Sequence, residues 1–555
     1  MKNPASALCL LASMQFASAV SDVAPVEPAP RRPNVIVILA DDLGWSDLGC
    51  YGSEIPTPHI DALAGSGVRF RQFYNSARCS PSRCSLLTGL YPQQAAVEPG
   101  NPLPDLPDNN NVTFAELLGS NGYRTYMAGK WHLGNGPLLP ENRGFQHVFR
   151  FANGGDHSAR QWDQSSYTLV SKDHEIAFGD YTGKGQTFYQ TDAIGDYAVD
   201  FINHSESMND GAPFAMYLAF GAPHFPIQAP AALADTFMAT YAKGWDVIRR
   251  ERYDRQLALG VIDRRYPYPE LGGTGPHQAE PVVPLPAWDT LDAGRKADLT
   301  RRMALYAAMV RKMDDNVGKV VSRLEQLGNL DNTLIVFMSD NGGNHESGAF
   351  GTKEDGPLTG NALAKMGQPG QNDGIHYGGG WAHVSNTPLK LFKHFTHEGG
   401  IRAPLIVRWP QGFAARNTWV ETPAHLVDVM ATVAGATGVP YPATFKNHLV
   451  QPLEGINLLP AINHQPVVER ALFVAHESNR MIRKGKWKLV TEAFTAFDNG
   501  FTADQRLLYD MDADPGETNN LAAENPSKVA ELVNEWNAWS TRVGLPAARA
   551  IGSPP

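Results

Sequence analysis

The stretch NVIVILADDLG, residues 34 to 44, carries an unbroken apolar run directly into two aspartates. A run of this length, rich in valine and isoleucine, predicts a β-strand that is buried on both faces. Three further runs have the same form and also end in polar residues: YRTYMAGKWHLG, PFAMYLAFGAPHFP and TLIVFMSDNGG. Helical patterns such as RRMALYAAMVRKMDDNVGKVVSRLEQLG lie between them. The chain therefore predicts an α/β fold, with a sheet covered by helices on both faces.

The polar residues that end these four runs are predicted to lie close together. Binding sites of open α/β sheets form at the carboxyl ends of the strands, and all four runs place polar groups at that end. In chain order these groups are Asp41, Asp42, Lys130, His132, His224, Asp340 and Asn341. An acid after a strand can also cap the next helix, but two acidic pairs together with basic groups favour a shared site.

The two acidic pairs indicate which metal such a site would bind. Asp41–Asp42 and Asp340–Asn341 offer only hard oxygen donors. Oxygen donors suit calcium or magnesium, whereas zinc sites use histidine and cysteine. The sequence therefore predicts a site for a hard divalent cation at this edge of the sheet.

The segment ARCSPSRCSLLTG, residues 77 to 89, repeats the triplet Arg-Cys-Ser. Ser80 is a favoured N-cap residue and a proline follows it, so a helix is expected over residues 82–88, before a terminating glycine. Cys79 would then lie just outside a helix N-terminus, where unpaired N–H groups favour negative charge. Cys84 would lie inside the helix as an ordinary buried thiol.

Length and charge limit the possible functions. With 555 residues the chain is long enough for one large domain and a smaller one. Its 47 basic and 57 acidic residues give a formal charge of −10, which argues against a nucleic-acid-binding protein or a polybasic membrane-surface protein. Any site for an anionic ligand must therefore be built from local cations.

The first residues predict export. Lys2 precedes the apolar stretch ALCLLASMQFA, and Ala17–Ala19 offers small residues for cleavage, so residues 1–19 are predicted to be a signal peptide. No later apolar run approaches the length of a membrane span. We expect the mature protein in the periplasm or outside the cell.

The cysteine count changes when the signal peptide is removed. Three of the four cysteines would remain in the mature chain, so an oxidising compartment would leave one unpaired or chemically altered.

The C-terminal part of the chain has a different pattern. Short alternating strands with tight turns, ALFVAH, RMIRKGKWKLV and RLLYDMDADPGETNNLA, precede the helical pattern PSKVAELVNEWNAWSTRV. This pattern predicts a small antiparallel sheet with a closing helix. We therefore predict a large domain over residues 33–462 and a smaller C-terminal domain over residues 463–555.

Together these motifs resemble the type I sulfatases of the alkaline phosphatase superfamily. The segment CSPSR, residues 79–83, matches the C-x-P-x-R signature of that family, whereas Cys84 is followed by Ser-Leu-Leu and does not match. The blocks AGKWHLG, GAPHFPIQAP, VFMSDNGG and FKHFTHEGGIRAPLIVRWP also resemble those of bacterial arylsulfatases. The resemblance implies an alkaline-phosphatase-like fold with a large mixed sheet. It also implies hydrolysis of sulfate monoesters of aryl or carbohydrate compounds.

The functional residues of the family carry over to this chain one by one. In the family the signature cysteine is oxidised to Cα-formylglycine, so the resemblance implies that a formylglycine-generating enzyme modifies Cys79. It also implies one calcium ion, bound by Asp41, Asp42, Asp340, Asn341 and the modified residue 79. The other implied site residues are Arg83, Lys130, His132, His224 and Lys393.

The resemblance further implies how these residues act. The hydrated aldehyde attacks sulfur while Asp340 takes its proton. His224, aided by Lys393, protonates the leaving oxygen. His132 then helps the second hydroxyl to expel sulfate. Cations that include calcium and Lys130 stabilise the negative charge that spreads in the transition state.

Three other functions fit parts of this pattern. A phosphonate monoester or phosphodiester hydrolase of the same superfamily also uses formylglycine, and it is the main alternative. A thiolate phosphatase would need an arginine where the chain has Ser85, which excludes it. A non-catalytic calcium-binding protein would not need the basic residues of the site, and all of them are present.

Overall fold

The computed structural model describes Met1 and residues 31–95, 106–108, 110–151, 160–171, 187–268, 285–351, 356–371, 374–477, 479–492 and 505–546. Apart from Met1, the predicted signal peptide lies outside the described residues. None of the helices in these described ranges has the length and apolar character that crossing a bilayer requires.

The centre of the molecule is one sheet of ten strands. They are β1 (Asn34–Ala40), β2 (Val68–Tyr74), β3 (Arg124–Gly129), β4 (His147–Phe151), β5 (Tyr167–Ser171), β6 (Phe214–Ala219), β7 (Thr333–Ser339), β8 (Arg402–Arg408), β9 (Thr418–Val420) and β10 (Ala424–His425). Their order is β10-β2-β8-β7-β1-β6-β3-β4-β5, and β9 pairs with β2. Strands β7, β1, β6, β3 and β4 are parallel, while β8 and β5 run antiparallel to their neighbours β7 and β4. The mixed sheet confirms the predicted fold class.

Helices in the described part of the chain cover this sheet and, in the case of the last one, a second sheet near the C-terminus. They are α1 (Pro58–Gly65), α2 (Cys79–Thr88), α3 (Pro92–Ala95), α4 (Phe114–Gly119), α5 (Gln190–Ser207), α6 (Ala231–Asp235), α7 (Met238–Tyr241), α8 (Trp245–Ala258), α9 (Ala293–Gln326), α10 (Gly360–Ala364), α11 (Gly379–Ser385), α12 (Glu398–Ile401), α13 (Val427–Thr437), α14 (Leu459–Ile462) and α15 (Pro526–Arg542).

Strand β1 shows how helices cover both faces of the sheet. Ile36 and Ile38 point into a core that they share with α1, α5 and α9. Val35 and Val37 point into a second core, which they share with α2, α4 and α13. Alternate residues of a strand face opposite sides of a sheet, so a strand between two helical layers must be apolar at every position. The continuous apolar run in the sequence is confirmed as such a strand.

A four-stranded antiparallel sheet forms most of the C-terminal region. Its strands, in spatial order, are β13 (Ala471–His476), β14 (Asn479–Lys484), β15 (Trp487–Glu492) and β16 (Gln505–Asp510); a short pair, β11 (Thr444–Phe445) and β12 (His448–Leu449), precedes them. Trp536 and Trp539 of α15 pack with Ile482 and Leu489 of the sheet. The antiparallel sheet and its helix are confirmed. The domain boundary between residues 462 and 463 stays a prediction.

Buried charges join this second sheet to the segment that precedes β8. Lys488 Nζ of β15 lies 2.7 Å from Glu398 Oε1 and 2.7 Å from Glu517 Oε1, and all three side chains are completely buried. Arg402 Nη1 lies 3.3 Å from the other oxygen of Glu398. Burial raises the pKa of Glu517 to about 7, although Lys488 opposes the shift. Lys488 is thus a cation that two buried carboxylates share.

The helix that carries the signature begins earlier than the sequence predicted. Helix α2 starts at Cys79 rather than at residue 82, and Arg78 rather than Ser80 is its N-cap residue. Pro81 is tolerated there because the N–H groups of the first helical turn have no partner within the helix. Cys79 is therefore the first residue of the helix, and it is buried.

Candidate active site

Four neighbouring strands bring the predicted polar residues to one edge of the central sheet. Strands β7, β1, β6 and β3 lie side by side and run parallel, so their carboxyl ends meet. Helix α2 brings Cys79 and Arg83 to the same place, and the segment before α12 brings Lys393. All ten residues are buried: Asp41, Asp42, Cys79, Arg83, Lys130, His132, His224, Asp340, Asn341 and Lys393.

Arg83 connects the residues on one side of this cluster. Its Nη2 donates to Asp340 Oδ2 at 2.8 Å and lies 3.6 Å from Asp41 Oδ1. Its Nη1 donates to the backbone oxygen of Lys130 at 2.9 Å. Lys130 Nζ in turn donates to Asp41 Oδ2 at 2.6 Å. Burial alone would raise the pKa of Asp41, but the charge of Lys130 and other nearby cations hold it well below its usual range.

Asp42 connects the residues on the other side. Asn341 Nδ2 donates to Asp42 Oδ1 at 2.7 Å, and Lys393 Nζ lies 3.1 Å from each oxygen of Asp42. His224 Nε2 is 3.4 Å from Asp42 Oδ2 and 3.4 Å from Lys393 Nζ. His224 Nδ1 lies 2.6 Å from the backbone oxygen of Phe225. The ring atom of His224 that faces the cluster is therefore Nε2.

Two glycines allow the segment with Lys393 to approach the end of β7. A Cβ atom on Gly342 would lie 1.8 Å from the backbone oxygen of Gly399, and the Gly342 N–H donates to the backbone oxygen of Gly400 at 3.1 Å. Only glycine allows backbones to approach this closely. The DNGG and EGG motifs therefore pack against each other, and this contact brings Lys393 to Asp42.

The two cysteines of the repeated triplet differ in their surroundings. Cys79 lies one helical turn before Arg83. Burial raises the pKa of its thiol, although Lys130 and Lys393 oppose the shift. Cys84 packs in the second core of the sheet, and burial raises its pKa to about 12. Burial therefore disfavours the nucleophilic thiolate at both positions.

The oxygen atoms of the cluster fit a hard divalent cation. Asp41 Oδ1 and Asn341 Oδ1 are buried and accept no hydrogen bond from the described residues. Burial and the charge of Asp41 raise the pKa of Asp340 to about 7, although Arg83 opposes the shift. The nearby cations therefore do not fully stabilise ionised Asp340. A divalent cation would stabilise this carboxylate and provide the missing partner for the two buried oxygens.

Comparison with known proteins shows the family to which this arrangement belongs. The family model described as Sulfatase matches residues 33–439. The chain belongs to the sulfatase family. A second model, for the C-terminal region of N-sulphoglucosamine sulphohydrolase, matches residues 390–538 of this sulfatase. The confirmed resemblance covers both the central sheet and the C-terminal sheet.

Individual proteins that are similar to this chain are also sulfatases. An uncharacterised sulfatase of Schizosaccharomyces pombe is 32% identical to this sulfatase over 93% of this chain and 95% of its own. An arylsulfatase of Klebsiella aerogenes is 33% identical over 77% of this chain and 91% of its own. The solved structure of Ps i-CgsB in complex with k-i-k-neocarrahexaose has a TM-score of 0.62 at 26% identity, covering 93% of this chain and 94% of that one. This sulfatase is therefore a sulfuric ester hydrolase with the alkaline-phosphatase-like fold, as predicted.

The sulfatase site also contains residues that the sequence motifs did not identify. Asn344 Nδ2 donates to Asp42 Oδ2 at 2.9 Å and to Glu346 Oε2 at 3.1 Å. Glu346 Oε1 lies 3.5 Å from Lys393 Nζ. Tyr217 OH lies 3.3 Å from Arg83 Nη1. Two features of the sequence could have indicated these residues. The letters NHE, residues 344–346, directly follow the DNGG motif, and a tyrosine inside a buried apolar strand requires a partner for its hydroxyl group.

Proposed function

We propose that this sulfatase hydrolyses sulfate monoesters of aryl or carbohydrate compounds, using Cα-formylglycine formed from Cys79 and one calcium ion. The supporting observation is the single buried cluster around the first residue of α2. In it, oxygen donors from β1 and β7 lie beside three cations, Arg83, Lys130 and Lys393. A sulfate ester is an anion, and a chain with a net charge of −10 needs such local cations to bind it.

The proposed nucleophile is formed from Cys79, the buried first residue of α2. Hydrated formylglycine would supply two hydroxyl groups on one carbon, one to accept the sulfuryl group and one to release it. Asp340, oriented by Arg83 at 2.8 Å, accepts the proton of the attacking hydroxyl. His132, buried two residues after Lys130, assists the second hydroxyl. Calcium bound by Asp41, Asp42, Asp340 and Asn341 would supply positive charge for the sulfate oxygens.

His224, aided by Lys393, provides the proton for the leaving oxygen. Burial lowers the pKa of His224, although Asp42 opposes the shift, so a proton on Nε2 is readily released. Burial alone would also lower the pKa of Lys393, but Asp42 and Glu346 hold it above its usual range. Lys393 therefore stays protonated 3.4 Å from His224 Nε2, where its positive charge would stabilise the negative charge that develops on the leaving oxygen.

Exhaustive chelation is expected to abolish the hydrolysis of a nitrophenyl sulfate, because the proposed ligands are all oxygen donors. Calcium is expected to restore the rate better than zinc. The metal content should be measured in the same samples. Full activity in demonstrably metal-free protein would contradict the calcium assignment.

The His224→Ala variant is expected to discriminate between substrates by their leaving groups. Without the proton donor, sulfates of sugar alcohols should lose about 10²–10⁴-fold in rate, whereas activated phenol sulfates should lose far less. The kcat of both substrate types should be compared in wild type and variant. Equal losses across the series would remove the proposed role from His224.

The main alternative differs in substrate rather than in nucleophile. A phosphonate monoester or phosphodiester hydrolase would use the same modified residue 79, but the family match and the named relatives favour sulfate esters. The rates on a nitrophenyl sulfate and a phenyl phosphonate monoester separate the two functions. A higher kcat/KM for the phosphonate would favour the alternative.

We also propose that the protein is exported, with modification by a formylglycine-generating enzyme. The apolar stretch before Ala17–Ala19 supports export. A mature N-terminus directly after Ala19 in protein isolated outside the cytoplasm would agree with it. Active protein confined to the cytoplasm with Met1 retained would contradict it.

A further inference from the structure

His394, His476 and Glu477 form a second group of metal-binding side chains beside the sulfatase site. His394 follows Lys393 in the chain, His476 ends β13, and Glu477 comes next. The two histidine side chains are 4% and 1% exposed, and the glutamate side chain is 14% exposed. The group therefore lies between the segment with Lys393 and the C-terminal sheet.

The three donor atoms are equally far apart. His394 Nδ1 lies 3.4 Å from His476 Nε2 and 3.4 Å from Glu477 Oε1, and His476 Nε2 lies 3.4 Å from the same oxygen. The two separations to Glu477 Oε1 exceed the range of about 2.7–3.2 Å for N–H···O hydrogen bonds. If both ring nitrogens donated to Glu477, two N–H groups would also face each other. The hydrogen bonds among these three side chains are therefore long.

The triangle formed by His394 Nδ1, His476 Nε2 and Glu477 Oε1 has the dimensions of one face of a tetrahedral zinc site. Two atoms that each lie about 2.1 Å from a tetrahedral zinc ion are about 3.4 Å apart. Neighbouring ligands of an octahedral ion at that bond length would be only about 3.0 Å apart. Two histidines with one glutamate are also a known zinc ligand set that leaves a fourth position open. We propose that His394, His476 and Glu477 bind one zinc ion.

Surrounding groups hold two of the three proposed ligands in place. Glu346 Oε1 lies 2.9 Å from His394 Nε2, so it accepts the proton of the ring nitrogen opposite Nδ1. A carboxylate in this position fixes the tautomer and orientation of a metal-bound histidine. Arg78 Nη1 lies 3.3 Å from Glu477 Oε1 and favours its ionised form, which is the form that binds a metal. Asn479 Nδ2 donates to the backbone oxygen of His394 at 3.1 Å.

A zinc ion here would connect the C-terminal sheet to Lys393, which aids the proposed proton donor His224. Glu346 contacts both His394 and Lys393, at 2.9 Å and 3.5 Å. Fixing the ring of His394 would therefore also fix the carboxylate beside Lys393. The three proposed ligands are distinct from the ten residues of the sulfatase site, so this inference does not depend on formylglycine or calcium.

Zinc titration of the full-length protein against a chromophoric chelator tests the proposal. Excess calcium should be present throughout, so that the oxygen-donor site is filled. Wild type is expected to bind one equivalent of zinc. His476→Ala should bind it at least about 100-fold more weakly, and Glu346→Gln about 10–100-fold more weakly. His464→Ala removes an exposed histidine and is the matched control, with the affinity of wild type.

Cobalt(II) in wild type gives a second readout that needs no variant. A four-coordinate site should give the visible absorption bands of tetrahedral cobalt, and added zinc should remove them. Absence of a zinc equivalent in wild type, or only the spectrum of octahedral cobalt, would overturn the proposal. It would also be overturned if natively folded His476→Ala bound zinc as tightly as His464→Ala.

Discussion

The Cys79→Ala variant is expected to lose at least about 10⁴-fold in kcat, the scale of loss when an enzyme's nucleophile is removed. The substitution removes the thiol group, without which the modifying enzyme cannot convert the Cβ carbon of residue 79 to an aldehyde. It also removes one proposed calcium ligand. Alanine suits the first position of a helix, so the variant should fold. The kcat on a nitrophenyl sulfate and the circular dichroism spectrum should be measured together.

Two further variants make this loss specific to residue 79. Cys84→Ala should keep the activity of wild type and lose only about 1 kcal/mol of stability, because it trims one small side chain from the core. Cys79→Ser should attack sulfur once and then stall as a sulfated protein, because serine has a single hydroxyl group. Loss of activity in Cys84→Ala with retention in Cys79→Ala would reverse the assignment.

The Lys488→Ala variant is expected to lose about 3–5 kcal/mol of unfolding free energy. Lys488 lies 2.7 Å from a carboxylate oxygen of both Glu398 and Glu517, and all three side chains are completely buried. Its removal leaves two buried carboxylates with less positive charge nearby. Urea denaturation, followed by tryptophan fluorescence, should show the loss, because Trp536 and Trp539 pack on the same sheet as Lys488 and contribute to the signal.

Lys486→Ala is the matched control for this variant. Lys486 lies two residues earlier, and its side chain is 46% exposed beside Asp510. An exposed ion pair contributes little, so the unfolding midpoint should stay unchanged. A similar midpoint for Lys488→Ala and Lys486→Ala would show that the buried charges do not hold the second sheet in place.

The sequence was sufficient to predict the central sheet and the grouping of the polar residues. The apolar runs of β1 and β7 have no polar residue in their interior. Only a strand that is covered by helices on both faces of the sheet requires such a run. Because parallel strands end at one edge, Asp41, Asp42 and Asp340 had to meet once the strands were neighbours. The strand positions themselves, with β8 and β5 antiparallel, needed the structure.

Contacts between distant segments of the chain were not predictable in the same way. Lys488 meets Glu398 across 90 residues, and neither belongs to a motif that indicates the other. Glu346 reaches His394 through the packing of two glycine-rich loops. The first turn of α2 was also placed too late, because proline is equally tolerated at several positions of a first helical turn.

The most direct test of the account is peptide mass spectrometry of active, unlabelled protein. We predict an aldehyde in place of the thiol at residue 79 and an unmodified cysteine side chain, free or disulfide-linked, at residue 84. The aldehyde fraction should rise in proportion to the specific activity across preparations. Fully active protein with an intact Cys79 thiol would contradict the proposed mechanism.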